Sequence, residues 1–176
     1  VKASKPKQLA VYKSAGTDGS ASADDEQAAF DFVFWKPSFR RFVPPGKSRK
    51  YVIYWIFHYL RIFRNRDYAA LLRYDGDTCV SSLLIVPAYY KWPFMKPDDL
   101  QMTYVITHRD YRRRGLSEKL LRHAFRETCR PERTLWYITD RDNKASRNLC
   151  TKVGFGLHAY ATNRGILKRV IMDLSC

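Results

Sequence analysis

The sequence predicts a mixed α/β fold, and three observations predict it. From Tyr68 to the end, runs with period-2 hydrophobicity alternate with runs of helical period. Hydrophobic residues make up 45% and aromatics 15% of 176 residues, enough for a globular chain with a sizeable core. Turn and stop residues, among them an Asp-Gly pair and single glycines, fall between these runs.

The elements follow in chain order. "QLAVYK" (8–13) reads as a first strand, and the Ser-, Ala-, Gly- and Asp-rich stretch over 14–29 reads as a mobile loop. Residues 1–30 are therefore assigned to an N-terminal strand and loop, ahead of a single domain over 31–176. Residues 32–66 hold nine Lys or Arg, no acid and eleven aromatics. They read either as a packed aromatic subdomain with snorkelling cations, or as a surface for phosphates, sugars or bases. A helix is placed at about 50–63, although its β-branched and aromatic residues suit a strand equally well.

"YAALLRY", "DGD" and "TCVSSLLIV" read as strand, tight turn and strand. A loop over 87–97 carries Tyr89, Tyr90, Trp92 and Phe94. "LQMTYVIT" (100–107) alternates Leu100, Met102, Tyr104 and Ile106 against Gln101, Thr103 and Val105, the pattern of a half-buried strand. Leu116, Leu120, Leu121, Ala124 and Thr128 recur at helical spacing. "TLWYIT" (134–139) is a strand. The next helix has Asp142 or Asn143 as N-cap and stops at Gly154. "GLHAYAT" and "ILKRVIMDL" close the chain as two strands around "NRG".

The formal charge is +15, from 32 Lys and Arg against 17 Asp and Glu, which favours an anionic partner: a phosphorylated ligand, nucleic acid or an acidic membrane surface. Cysteines at 79, 129, 150 and 176 form no C-x-x-C pair and have no neighbouring histidines, which speaks against a metal site and a disulfide scaffold. With no secretory leader pattern either, a reducing cytoplasm is expected. The longest uncharged apolar run, 51–60, is too short to span a bilayer.

Arg112, Arg113 and Arg114 crowd into one strand-to-helix turn, followed by Gly115, Leu116 and Ser117. Like charges repel, so folding alone does not ask for this. The first N–H groups of a helix lack partners, and its dipole is positive at that end. "RRRGLS" thus reads as a pyrophosphate site. It is neither a Walker loop nor a Rossmann turn, since the required glycines and lysine are absent.

These residues resemble the GCN5-related N-acetyltransferases (GNAT). Arg112 to Ser117 fits that family's acetyl-CoA signature [QR]-x-x-G-x-[GA], with Ser in the last small position. Asn143, Ser146, Leu149, Lys152, Gly154 and Phe155 match its downstream pattern N-x-x-[AS]-x-x-L-Y-x-K-x-G-F. The resemblance covers about 68–174. It implies a GNAT-like mixed, mostly antiparallel central sheet of six or seven strands flanked by about four helices, and an acetyltransferase domain over 31–176. It also implies that backbone groups of Val105, Ile106 and Thr107 pair with the pantetheine arm, and that Arg112, Arg113, Arg114, Gly115, Leu116 and Ser117 hold the pyrophosphate. Glu118 would follow at the helix start, and Asn143 would bond the pantetheine or position the thioester.

The implied reaction is direct attack of an acceptor amine on acetyl-CoA. Two positions depart from the family. Cys150 replaces the tyrosine that commonly protonates the thiolate, which leaves Cys150, Tyr137 and Tyr160 as candidate acids. Gln101 stands where many members carry a glutamate base, with Asp98, Asp99, His108 or a water as substitutes. His58, His123 and His158 read as structural. The acceptor is expected to be an amino sugar or nucleotide-linked amino sugar first, with another small amine or a protein N-terminus or lysine as the alternative, bound by the aromatic, basic first half and the loop at 88–96. The competing readings are a catalytically weak acyl-CoA-binding module and a basic protein for nucleic acid or anionic membranes. The sequence leaves a homodimer open.

Overall fold

The computed structural model describes residues 8–14, 32–44, 51–164 and 169–173. The loop expected over 14–29 and the "NRG" turn lie largely outside them. Chain order is β1 (Gln8–Ser14), β2 (Phe32–Trp35), α1 (Val52–Tyr59), β3 (Ala69–Asp75), β4 (Thr78–Pro87), β5 (Leu100–Thr107), α2 (Leu116–Thr128), β6 (Leu135–Asp140), α3 (Lys144–Lys152), β7 (Phe155–Arg164) and β8 (Arg169–Asp173). The eight strands form one sheet in the order β2-β3-β4-β5-β6-β1-β7-β8. Every neighbouring pair is antiparallel except β5 and β6.

The expected mixed, mostly antiparallel sheet with flanking helices is present. The described residues hold eight strands where six or seven were expected, and three α-helices plus one 3-10 turn, Arg109–Tyr111, where about four helices were expected. The additional strand is β2. Its "FVFW" has no polar alternation, so periodicity could not separate it from its aromatic surroundings; pairing of Phe32 to Trp35 with Arg73 to Ala70 makes it a strand.

Period-2 side chains divide between two cores, one on each face of the sheet. Leu9, Val11, Ala70, Leu72, Leu84, Val86 and Trp136 point to one face, with Tyr54 and Phe57 of α1 packed on it. Their chain neighbours Ala10, Tyr12, Ala69, Leu71, Leu83, Ile85, Leu135 and Tyr137 point to the other, under Leu120, Leu121 and Ala124 of α2 and Cys150 of α3. Both faces are covered, so the strands read as near-continuous apolar runs. The Asp-Gly hairpin joins β3 to β4, with Gly76 at φ +55°.

The alternation expected for β5 breaks. Ser82 opposes Ile106 and Leu84 opposes Thr103, so Leu83 faces two residues and the strand bulges at Tyr104, whose φ is +50°. Leu100, Met102 and Val105 face α2, while Tyr104 turns to the α1 side and contacts Tyr54. Tyr104 and Ile106 are half exposed rather than core residues.

β1 lies inside the sheet, bonded to β6 on one edge and β7 on the other, and its four central residues are buried. An ionised group there has no partner and cannot reach water. Val11→Asp is expected to destabilise the fold by about 4 kcal/mol or more, read as a drop in the urea midpoint.

Candidate active site

β5 and β6 pair over only three residues, Leu100 to Met102 against Leu135 to Tyr137. Beyond this they part. β5 stays on β4 through Ser81 and Ser82, and β6 stays on β1 through Leu9, Ala10 and Val11. The sheet therefore forks, and the inner edge of β5 from Thr103 onward has no ladder partner on the β6 side. Backbone N–H and C=O groups on such an edge are available to an extended ligand. Val105, Ile106 and Thr107 lie on it.

At the open end of the fork, the 3-10 turn leads into the arginine loop. Arg113 and the helix N-cap Gly115 both take left-handed backbone, φ +62° and +72°. A Cβ on Gly115 would meet nothing within 4 Å, so the glycine is required for its dihedral and not for space. No side chain caps α2, and the first intrahelical bonds come from Glu118 and Lys119 to the Gly115 carbonyl. The N–H groups of Leu116 and Ser117 thus precede the ladder. They border a cavity of about 230 Å³ lined by Thr107, Tyr111, Arg112, Arg113, Gly115, Leu116, Ser117, Glu118 and Leu149.

The Thr107 hydroxyl bonds Ser117 Oγ at 2.7 Å and Ser81 Oγ at 3.2 Å, which ties the fork to the helix. Arg112 Nε reaches the Thr107 carbonyl at 3.4 Å. Arg114 lies outside the cavity lining, its guanidinium 4.9 Å from the Tyr111 ring centre, and Tyr111 donates to Asp75. Glu118 is held between Lys152 Nζ at 2.7 Å and Arg122 at 3.1 Å, a clasp of α2 on the end of α3. Lys152, then Arg122, hold its carboxyl below the usual range against the opposing effect of burial. Asn143, an exposed residue, is the N-cap of α3, and its Oδ1 accepts from Ser146 N at 3.1 Å.

The three candidate acids all face the α2–α3 side. Cys150 is fully buried, donates to the Arg147 carbonyl at 3.1 Å, and burial pushes its thiol up to about 11. Tyr137 stands at the crotch of the fork, opposite Met102, and its hydroxyl bonds Ser146 Oγ at 2.8 Å. Burial raises its pKa, with the Ser146 bond a smaller opposing effect. Tyr160 carries the Arg141 guanidinium 4.4 Å above its ring. Tyr12, which sequence reading did not select, is buried beside them and accepts from Arg147 Nε at 3.0 Å.

A second cavity, about 180 Å³, opens on the α1 side of the fork. It is lined by Tyr54, Tyr89, Lys91, Trp92, Gln101, Thr103 and Tyr104, with Leu9, Ile138, Thr139 and Asp140 along the β6 arm. The loop expected at 88–96 supplies Tyr89, Lys91 and Trp92, and of the described residues in the 32–66 block only Tyr54 reaches the lining. Burial first, then the Tyr104 hydroxyl, raises the pKa of Tyr54 far above its usual range. Gln101 is buried at the cavity wall. Asp140, also missed, is the carboxylate among the lining residues; it ends β6 on the parity of Trp136 and Ile138, which face α1.

The other proposed bases lie elsewhere. Asp99 is buried and accepts from Lys96 N at 2.8 Å, Thr134 N at 3.1 Å and Trp136 Nε1 at 2.9 Å, a structural carboxylate. His108 sits near Asp110 in the turn, and neither it nor Asp98 lines the cavity. His58, His123 and His158 each pack against an aromatic ring, and burial lowers all three pKa values. Among the described residues, no group of three or more His, Cys, Asp or Glu is placed to hold a metal, and no helix is long and apolar enough to cross a membrane.

The profile of the Acetyltransferase (GNAT) family matches residues 32–155, and the chain belongs to that family. The match starts well before Tyr68, so it takes in the aromatic block that the motifs alone did not reach. The fold resembles a putative GNAT acetyltransferase from Novosphingobium aromaticivorans, at 13% identity and TM-score 0.58, over 89% of this chain and 62% of that one. It also resembles a Drosophila protein at 16% identity and TM-score 0.51, over 89% of this chain and 49% of that one. The chain thus spans less than two thirds of either solved structure. Comparison with curated proteins finds no match.

The Glu118 clasp gives a pH prediction. Its folded pKa lies below its ordinary value of 4.5, so the pairing stabilises fully above that value and is lost as pH falls through the lowered pKa. Glu118→Gln should be less stable than the parent at pH 7, and the difference should vanish in acid. Urea midpoints across that range measure it.

Proposed function

We propose that the chain is an acetyl-CoA-dependent N-acetyltransferase, with the fork as the line where its two substrates meet. The observation that carries this reading is the coincidence of three features: an unpaired β5 edge, an uncapped helix N-terminus lined by Arg112 and Arg113, and a separate cavity on the opposite face. Acetyl-CoA supplies the activated acetyl thioester. Arg112, Arg113 and the N–H groups of Leu116 and Ser117 take its pyrophosphate. Val105 to Thr107 offer the pantetheine a strand edge, and the Asn143 amide stands at the head of α3.

The acceptor amine enters on the α1 side. Asp140 removes the ammonium proton, and the freed nitrogen attacks the thioester carbonyl. As the C–S bond breaks, Tyr137, kept protonated by burial and oriented by Ser146, gives its hydroxyl proton to the departing sulfur; the acylated nitrogen releases its second proton to solvent, which reprotonates Tyr137. Cys150 acts as a core residue, since its S–H is already committed to Arg147. The rings of Tyr54, Tyr89, Trp92 and Tyr104 offer flat apolar surface beside hydroxyls, which suits a small cyclic amine such as an amino sugar. A cavity of about 180 Å³ favours the amine-bearing ring alone over a nucleotide-linked one. The reading implies a soluble small-molecule acceptor and no metal.

Isothermal titration of acetyl-CoA tests the first half. One saturable site at moderate salt is expected, with binding lost in Arg112→Glu; no heat at high micromolar ligand would end the enzyme reading. A thiol-release assay over a panel of primary amines tests the second. Asp140→Asn and Tyr137→Phe should each lower kcat by about 10²-fold or more while acetyl-CoA binding stays intact. Full turnover in both variants would remove them from the chemistry.

A further inference from the structure

Of the described residues in the 32–66 block, only Tyr54 reaches the acceptor cavity; Trp35, Tyr51, Phe57 and Phe63 join the core, while Phe34, Phe39, Phe42, Trp55 and Tyr59 serve neither. α1 turns Tyr54 and Phe57 inward, and none of its residues is fully buried. At 100° per residue its outward face is Val52, Ile53, Trp55, Ile56 and Tyr59, continued by Leu60, with no charged group among them. Ile53 is 52% exposed and Leu60 67%. Phe39, 76% exposed, stacks edge-on against Trp55 and Tyr59, and Phe42, 49% exposed, against Trp55. The indole N–H of Trp55 donates to the Ser38 carbonyl at 3.0 Å, which fixes the loop to the helix as one patch. Arg40, Arg41 and Arg61 are exposed on the same loop and helix end, and no acid occurs from Phe32 to Arg66.

We propose that this patch docks the protein on an anionic lipid surface. Four features select that occupant. A contiguous apolar face this exposed calls for a partner. Exposed Ile53, Ile56 and Leu60 have no π-face for nucleic-acid bases to stack on, whereas they enter the acyl boundary readily. The surrounding arginines, which form no ion pair among the described residues, attract anionic headgroups and oppose a second copy of a chain whose formal charge is +15. Trp55 and Tyr59, apolar rings with one polar atom each, suit the headgroup level. An eight-residue helix cannot span a bilayer and so lies in the interface plane. Binding draws on neither the fork nor the acceptor cavity, so it stands apart from the acetyltransferase reading.

The test is co-sedimentation of the whole protein with vesicles of phosphatidylcholine alone or mixed with phosphatidylglycerol. Trp55 is a built-in probe, because Trp35, Trp92 and Trp136 are buried. Mixed vesicles should pellet the protein and shift its tryptophan emission to the blue; neutral vesicles should do neither. Arg40→Glu/Arg41→Glu should weaken partitioning more than about tenfold, and Phe39→Glu/Leu60→Glu should abolish the emission shift. Near-UV circular dichroism checks that both variants remain folded. Failure to bind mixed vesicles, or binding that both variants retain, would overturn the proposal. So would tighter binding to a single-stranded oligonucleotide lost in the same variants, or self-association that buries this patch.

Discussion

The brevity of the β5–β6 pairing controls everything downstream. Three paired residues bring two strands together, and then each is drawn away by its outer neighbour, β5 by β4 and β6 by β1. The bulge at Tyr104 adds one residue to β5 where the strands part, which turns that side chain from the α2 face to the α1 face. A closed ladder would leave neither a free backbone edge nor a passage between faces. The fork supplies both, and the N-terminal strand keeps it open by occupying the far edge of β6.

Under the proposed function, the two faces divide the chemistry. On the α2–α3 side stand the arginine loop, the uncapped helix and the protonated hydroxyl of Tyr137, which suit an anionic thioester and its leaving group. On the α1 side stand aromatic rings, Gln101 and Asp140, which suit a cation that must lose a proton. The Glu118 clasp holds α2 and α3 at a fixed separation, and the Thr107–Ser117 bond joins the strand edge to the helix N-terminus. Positioning therefore rests on short polar links between elements that the two cores already hold.

Much of this was legible from residue order because local chemistry decided it. Gly115, and Asp142 or Asn143, mark the starts of α2 and α3 in the sequence, and Gly115 and Asn143 cap them in the fold. The apolar runs "YAALLRY" and "TCVSSLLIV" on either side of the Asp-Gly pair read as strands, and β3 and β4 have nearly those bounds. What escaped depended on distant partners. β2 is a strand because β3 lies beside it, and the face of Tyr104 depends on a bulge against β4 that period-2 reading assumes away. Asp140 carries no local signal; only the register with Leu9 brings it to the cavity. Asp99 looked available as a base because two of its three N–H donors, from Thr134 and Trp136, lie far along the chain at the start of β6. Arg114 looked equivalent to its neighbours until Tyr111 was seen to hold it outside the cavity.

The central claim is that the open edge of β5 and the arginine loop receive one extended ligand along the fork. Hydrogen exchange of backbone amides, followed peptide by peptide with and without acetyl-CoA, addresses it most directly. The account predicts slowed exchange over Val105 to Ser117, a weaker effect near Asn143, and no change over Phe39 to Leu60. Protection confined to the aromatic patch, or none along β5 at saturating ligand, would contradict it.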